Sequence, residues 1–394
     1  MRIQLIVVVS IATLAVSACS TLPSGLIEPP GPSPKEPATA ATSASLPIAW
    51  SKILTQTATR PVVIGDLAIT THGSNIDAVM VATGASVWSR NLSDPAVGSV
   101  YLGPPTLSQG RILTAASTAG LGGLYSFATD GSNTGSLAFH HFVGNLAADG
   151  SLTARVGGSY GSGTPALATL QFGRTWFVSF GGGPTTGPIS ITGGRAFMVA
   201  GGRVLGFDPT TPCTPVPPPF PFGYCTATWS TSIPGAQAAA SAGGGRVAIG
   251  STNGTLSVLN GATGAVEFTT ANASTPLSPS SHGYQGRLFT TGGDGVLRVY
   301  NASGCGGTAC APLWTGAVGS ASTVAPTVSN GKVYVATTDG RLVVFPAAGC
   351  STPPCEPIAI GDSATGSAAG GRPLVTRTRI LVPLGDQLVA FANL

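Results

Sequence analysis

A fifteen-residue pattern recurs in this chain and limits what it can fold into. Residues 245–259 read GRVAIGSTNGTLSVL, residues 286–300 read GRLFTTGGDGVLRVY, and residues 331–345 read GKVYVATTDGRLVVF. Each copy has Gly, a cation, an apolar run, Asn or Asp followed by Gly, and an alternating apolar run. The runs are rich in Val, Leu and Tyr and alternate with period two, so each unit is a β-hairpin. Asn253-Gly254, Asp294-Gly295 and Asp339-Gly340 stand at the tips, where a type I′ turn is expected. A repeat at this spacing specifies a stacked or closed array of like units.

Degenerate copies extend the array. Residues 194–207 and 378–391 are one residue shorter at the turn, residues 110–127 have a longer turn, and residues 65–81 carry Asp66 in place of the cation. The faintest copy starts near Gly150. The starts fall at Gly65, Gly110, Gly150, Gly194, Gly245, Gly286, Gly331 and Thr378, about 45 residues apart. Two further apolar segments lie between hairpins, one of which often contains Trp (Trp88, Trp229, Trp314). Four short strands per unit make a propeller blade. The expectation is therefore all-β, an eight-bladed β-propeller over residues 46–394. The last copy stops after its third strand, and Leu46–Leu54 has a Trp (Trp50) but no hairpin before it. Ile48–Leu54 is expected to supply the missing outer strand and close the ring.

Residues 1–18 have one cation, Arg2, then an apolar stretch from Leu5 to Val16, which reads as a signal peptide. The stretch is short for a membrane span. Residues 19–45 are rich in Pro, Ser and Ala and read as a tether. Only 8% of residues are charged and the net charge is +4, a balance without a nucleic-acid footprint.

The chain has 7 cysteines. Cys213 with Cys225, Cys305 with Cys310, and Cys350 with Cys355 form three close pairs, each just after the second strand of a hairpin. Six cysteines allow fifteen pairings, but the matched positions favour local bridges worth roughly 2–3 kcal/mol each in the chain-entropy treatment. Zinc spacing is poor, and no His stands near them.

Val16-Ser17-Ala18-Cys19 resembles the bacterial lipobox, which implies acylation of Cys19 and stable anchoring by more than one chain. The hairpin pattern, the Trp-bearing outer strand and the unit count resemble the PQQ-like repeat propellers. One branch holds the quinoprotein dehydrogenases, which imply a quinone and Ca²⁺ on the axis. The other looks like the BamB-type lipoprotein of the outer-membrane β-barrel assembly machine, to which lipobox, tether and single ring are similar. This second resemblance implies a non-catalytic docking scaffold in the cell envelope, sorted to the outer membrane where the cell has one, with an envelope protein as partner. It implies no cofactor, no metal and a monomeric ring.

Alternatives differ in kind. A low-charge face with aromatic loops also suits cell-wall glycan. Quinoprotein oxidoreductase chemistry lacks support in the residues. There is no Cys-Cys dipeptide, and only Glu267 and Glu356 lie within the ring; Glu267 is expected on an outer strand and Glu356 abuts an expected disulfide. Gly157-Gly158-Ser159-Tyr160-Gly161 matches G-x-S-x-G but falls in a Gly/Ser-rich hairpin with no helical period after it. His140-His141 would alternate to opposite faces of a strand, and His72 and His282 are isolated. The loop 213–225, CTPVPPPFPFGYC, offers Phe220, Phe222 and Tyr224 as rigid aromatic contacts for a partner. Deleting residues 46–54 is expected to abolish cooperative thermal unfolding, measured by calorimetry; a truncated chain that melts like the intact one would show that the segment closes nothing.

Overall fold

The computed structural model describes residues 43–93, 100–117, 121–140, 146–149, 152–158, 165–171, 174–179, 185–208, 214–215, 223–224, 227–270, 273, 275–278 and 281–394. Their regular elements are all β-strands. Eight hydrogen-bonded sheets follow one another. Seven of them are blades in which a four-stranded antiparallel meander carries at most one short added strand, spanning 62–91, 106–140, 185–232, 236–270, 281–317, 327–362, and 374–392 with 48–53.

The expected ring of eight like blades is thus corrected to an all-β seven-bladed propeller. The residues around Gly150, counted as the third copy, form a six-stranded sheet instead. Leu146–Asp149, Leu152–Gly158, Pro165–Gln171 and Arg174–Ser179 are extended by Gly223–Tyr224 and Thr214–Pro215. This sheet is set between the 106–140 and 185–232 blades. Its sequence departs from the repeat: Ser151 follows Gly150 where the strong copies have a cation, and residues 159–164, without Asn-Gly or Asp-Gly, separate its second and third strands. Its two extra strands come from the long loop of the blade that follows.

The last blade takes its outer strand from the N-terminal side. Ile48–Ile53 runs antiparallel to Gln387–Ala392, with Trp50 opposite Ala390 and Ile53 opposite Gln387. The core sits between blades rather than within them. For example, Tyr334, Leu342 and Val344 of one blade pack with Ile380, Val382 and Phe391 of the next.

The hairpin tips differ from expectation in an instructive way. At Asn253-Gly254, Asp294-Gly295 and Asp339-Gly340 only the glycine has positive φ, at +79°, +68° and +84°. Thr337 N–H donates to Arg341 O at 3.0 Å and Ser251 N–H to Thr255 O at 2.9 Å, so three residues span each of these two loops. This is the type I turn followed by a left-handed glycine bulge, not type I′. The primed turn occurs in a shorter copy, where Gly201 and Gly202 have φ of +56° and +72° between paired Ala200 and Arg203. Loop length, not the dipeptide, selects the turn.

The outer-strand tryptophans lock neighbouring blades. Trp88 Nε1 donates to Thr129 O of the next blade at 2.8 Å, Trp229 Nε1 to Gly261 O at 3.0 Å, and Trp50 Nε1 to Val81 O at 3.0 Å. Each indole lies against a positive-φ glycine in the last turn of that next blade. A Cβ at Gly131 would stand 2.6 Å from Trp88, one at Gly264 2.3 Å from Trp229, one at Gly84 2.7 Å from Trp50, and one at Gly349 2.7 Å from Trp314. Phe268 meets Gly304 in the same way at 3.1 Å.

Four of the eight outer edges are covered from the following unit. Ala309–Cys310 runs parallel to Thr269 and Thr270, Cys355 bridges to Gly316, Gly223–Tyr224 runs parallel to Trp176 and Phe177, and Ala44–Ser45 runs parallel to Ala359 and Ile360. These flaps occupy the unpaired backbone groups that make sheet edges prone to association. Replacing Trp88 by Ala is expected to cost about 3–5 kcal/mol in urea-unfolding stability. Gly131→Ala should also destabilise, since it places a side chain both at positive φ and in the space of the indole; unchanged midpoints for both variants would mean the interlock contributes nothing.

Candidate ligand-binding cleft

The linker from the closing strand to the first inner strand organises one end of the molecule. Thr59 N–H donates to Thr71 O at 2.9 Å, and the Thr59 and Thr71 hydroxyls are 2.7 Å apart. Thr71 Oγ1 donates in turn to Gly103 O at 2.8 Å, as does Thr114 Oγ1. The linker is therefore sewn to the 62–91 hairpin and through it to the next blade. Beside it opens a cleft of about 620 Å³, lined by Gln56 to Thr59, the hairpin tips at Gly73 and Asp386, Tyr101 with Leu102, and Gly370. This volume is in the range of small-ligand sites. Tyr101 is 60% exposed and offers a ring at its wall.

A buried polar cluster holds the linker on its other side. His72 is 3% and Asp77 6% exposed. The His72 ring lies 3.0 Å from Thr55 Oγ1 through Nδ1 and 3.1 Å from Asp77 Oδ2 through Nε2. Lys52 Nζ stands 3.8 Å from the same carboxylate, and Asn75 Nδ2 donates to Thr55 Oγ1 at 3.2 Å. Burial alone would raise the Asp77 carboxyl; hydrogen bonds from His72 and Ser89 and the charges of His72 and Lys52 outweigh it and hold the group below its ordinary value. The cluster clamps the closing strand, through Lys52 and Thr55, onto the first hairpin.

The residues singled out from sequence fall as follows. Cys305–Cys310 and Cys350–Cys355 are disulfides. Each clips the loop that covers the preceding blade's edge. Cys19, Cys213, Cys225, Phe220 and Phe222 lie outside the described residues. Tyr224 is described in its backbone, which pairs with Phe177 and is thereby committed to an edge. Glu267 is on the outer strand Val266–Thr270 and is bound by Arg246 and Asn260. Glu356 is exposed beside Cys355. Asp294 and Asp339, read from sequence as turn residues, also pair with Arg298 and Arg341. His140 ends the strand Asn133–His140, and Gly157-Gly158 end the strand Leu152–Gly158, while His141, Ser159, Tyr160 and Gly161 lie outside the described residues. His72, isolated in the sequence, is brought against Asp77 and Thr55; the alternation that turns both His72 and Asp77 inward was the available signal. Among the described residues no three of His, Cys, Asp and Glu converge at metal-binding distance.

No protein-family model matches the chain, and no curated protein matches it. Solved structures do. The crystal structure of BamB from Moraxella catarrhalis is 14% identical, matches 89% of this chain and 98% of that one, and superposes with a TM-score of 0.59. The C-terminal WD40 domain of Sif2 is 14% identical over 89% of this chain and 99% of that one, with a TM-score of 0.68. The computationally designed Ika8 protein is 13% identical over 87% and 98%, with a TM-score of 0.66.

A depressed carboxyl contributes stability above its unfolded value, about 3.9, and loses it as pH falls through the folded value. Asp77→Asn is therefore expected to destabilise at pH 7, by about 1–3 kcal/mol, and to unfold less steeply than wild type as pH falls below about 4. Parallel acid-unfolding curves for the two chains would remove Asp77 from the clamp. At these identities the likeness to solved structures establishes the β-propeller fold of this chain.

Proposed function

We propose that this chain is a non-catalytic, lipid-anchored propeller that serves as a protein-docking scaffold in the bacterial cell envelope. The observation that carries the reading is an unfilled edge. Four of the eight outer edges are covered by flaps; among the described residues Ile48–Ile53, like Ser86–Asn91, Asn133–His140 and Trp229–Ser232, has no strand on its outer side, and it carries two exposed apolar side chains, Ile48 at 43% and Ile53 at 74% exposure. An uncovered strand with projecting apolar side chains is suited to strand addition by a partner. The BamB-like and WD40-like architecture agrees with a scaffold role. Two disulfides agree with an oxidising compartment outside the cytoplasm. Anchoring rests on the lipobox at Cys19, and the tether, expected over 19–45 but ending before the paired strand Ala44–Ser45, would give the ring reach. The loop bearing Phe220, Phe222 and Tyr224 is a second contact in this reading.

The test is site-specific photo-crosslinking in the native envelope. A photoreactive residue at Ile53 is expected to capture a discrete envelope protein, whereas one at Thr269, on a covered edge, should not. Equal capture at both positions, or none at Ile53, would overturn the docking assignment. Cys19→Ala should release the chain from the membrane fraction; retention would argue against the anchor.

A further inference from the structure

Two arginines near the cleft have no counter-charge. Arg60-Pro61-Val62 and Arg372-Pro373-Leu374 are matching segments of adjacent blades, each placing an arginine two residues before the inner strand. A residue before proline is held extended, so both backbones approach the inner strands alike. Gly370 and Gly371 let the two loops touch. A Cβ at Gly370 would stand 2.4 Å from Ala58 O, and one at Gly371 2.7 Å from Arg60 Cβ. Thr327 Oγ1 donates to Pro373 O at 2.5 Å and fixes the second loop.

Arg60 Nε is buried and makes no hydrogen bond. None of the ion pairs among the described residues involves Arg60 or Arg372. Burial and the adjacent Arg372 push the Arg60 guanidinium down to about 10, and burial lowers Arg372 as well. Both remain charged at neutral pH. Two half-buried like charges without an acid are costly to keep together unless an anion joins them. Guanidinium groups match the paired oxygens of carboxylates and phosphates. The same two loops line the cleft, through Thr57 to Thr59 and Gly370, and both arginines retain some exposed surface.

We propose that Arg60 and Arg372 form an oxyanion-binding site beside the cleft, where a carboxylate or phosphate group of a ligand sits between the two guanidiniums. This assignment stands independently of the docking edge at Ile48–Ile53.

The experiment is calorimetric titration of the full chain with inorganic phosphate and, separately, with succinate, at constant ionic strength. Saturable one-to-one binding of either probe is expected, and the preferred probe tells phosphate-bearing from carboxylate-bearing ligands. Arg60→Gln and Arg372→Gln should each weaken that binding by about tenfold or more, whereas Arg111→Gln, at an exposed position, should leave it unchanged. In buffer free of both anions the two Gln variants should melt no lower than wild type, because a repulsion is removed. Absence of saturable binding in the wild type, or undiminished binding in both Gln variants, would overturn the site. If one Gln variant fails to fold, the other together with Arg60→Lys decides the matter, since Lys keeps the charge without the fork and should bind more weakly than wild type.

Discussion

The contact of an outer-strand indole with a left-handed glycine in the next blade is the constraint on which the rest depends. A blade cannot bury its faces alone; it needs a neighbour at a fixed angle and distance. The indole supplies both. Its ring occupies the volume that any Cβ at Gly84, Gly131, Gly264 or Gly349 would require. At Trp50, Trp88 and Trp229 its N–H satisfies a carbonyl in the same neighbouring turn. A flat side chain thus reads the backbone of the next unit, and the inter-blade clusters assemble behind it. Phe268 against Gly304 keeps the steric half of this device without the hydrogen bond.

Around that ring the chain covers four of its eight outer edges by lending strands. The loop after a hairpin's second strand reaches back to the preceding outer strand, and in two such loops a disulfide pins it. This explains why Cys305–Cys310 and Cys350–Cys355 occupy equivalent places. It also explains the six-stranded sheet, which takes Gly223–Tyr224 and Thr214–Pro215 from the 213–225 loop. The seam between the last and first blades is treated differently. There the clamp of Lys52, Thr55, His72 and Asp77 does the joining, and the cleft and the two unpaired arginines lie beside it; the edge of Ile48–Ile53 is one of four with no strand added among the described residues.

Much of the fold was legible because a repeat repeats its errors as well as its signals. Hairpins, outer-strand tryptophans and the closing segment all follow from residues at fixed offsets. The turn type was not legible, since Asn-Gly and Asp-Gly serve both a primed turn and a bulged three-residue loop, and only loop length separates them. The blade count failed at the copy where Ser151 replaces the cation and no Asn-Gly or Asp-Gly joins the second and third strands. There a faint pattern was extrapolated from strong ones. The cleft was hidden for another reason. Its walls come from residues near 57, 73, 101, 370 and 386, which only ring closure brings together. The arginine pair did leave a trace, in the matched Arg-Pro before two inner strands, but its meaning depends on two loops meeting across the seam.

The central claim is that interlocked blades, seam included, unfold as one cooperative body. Native-state hydrogen exchange of the full chain tests it most directly. The slowest amides of Gln387–Ala392 at the seam and of Arg195–Ala200, in a blade several units away from it, should exchange with the same opening free energy and the same denaturant dependence. A seam that opens at markedly lower free energy, with the remaining blades still protected, would contradict the account.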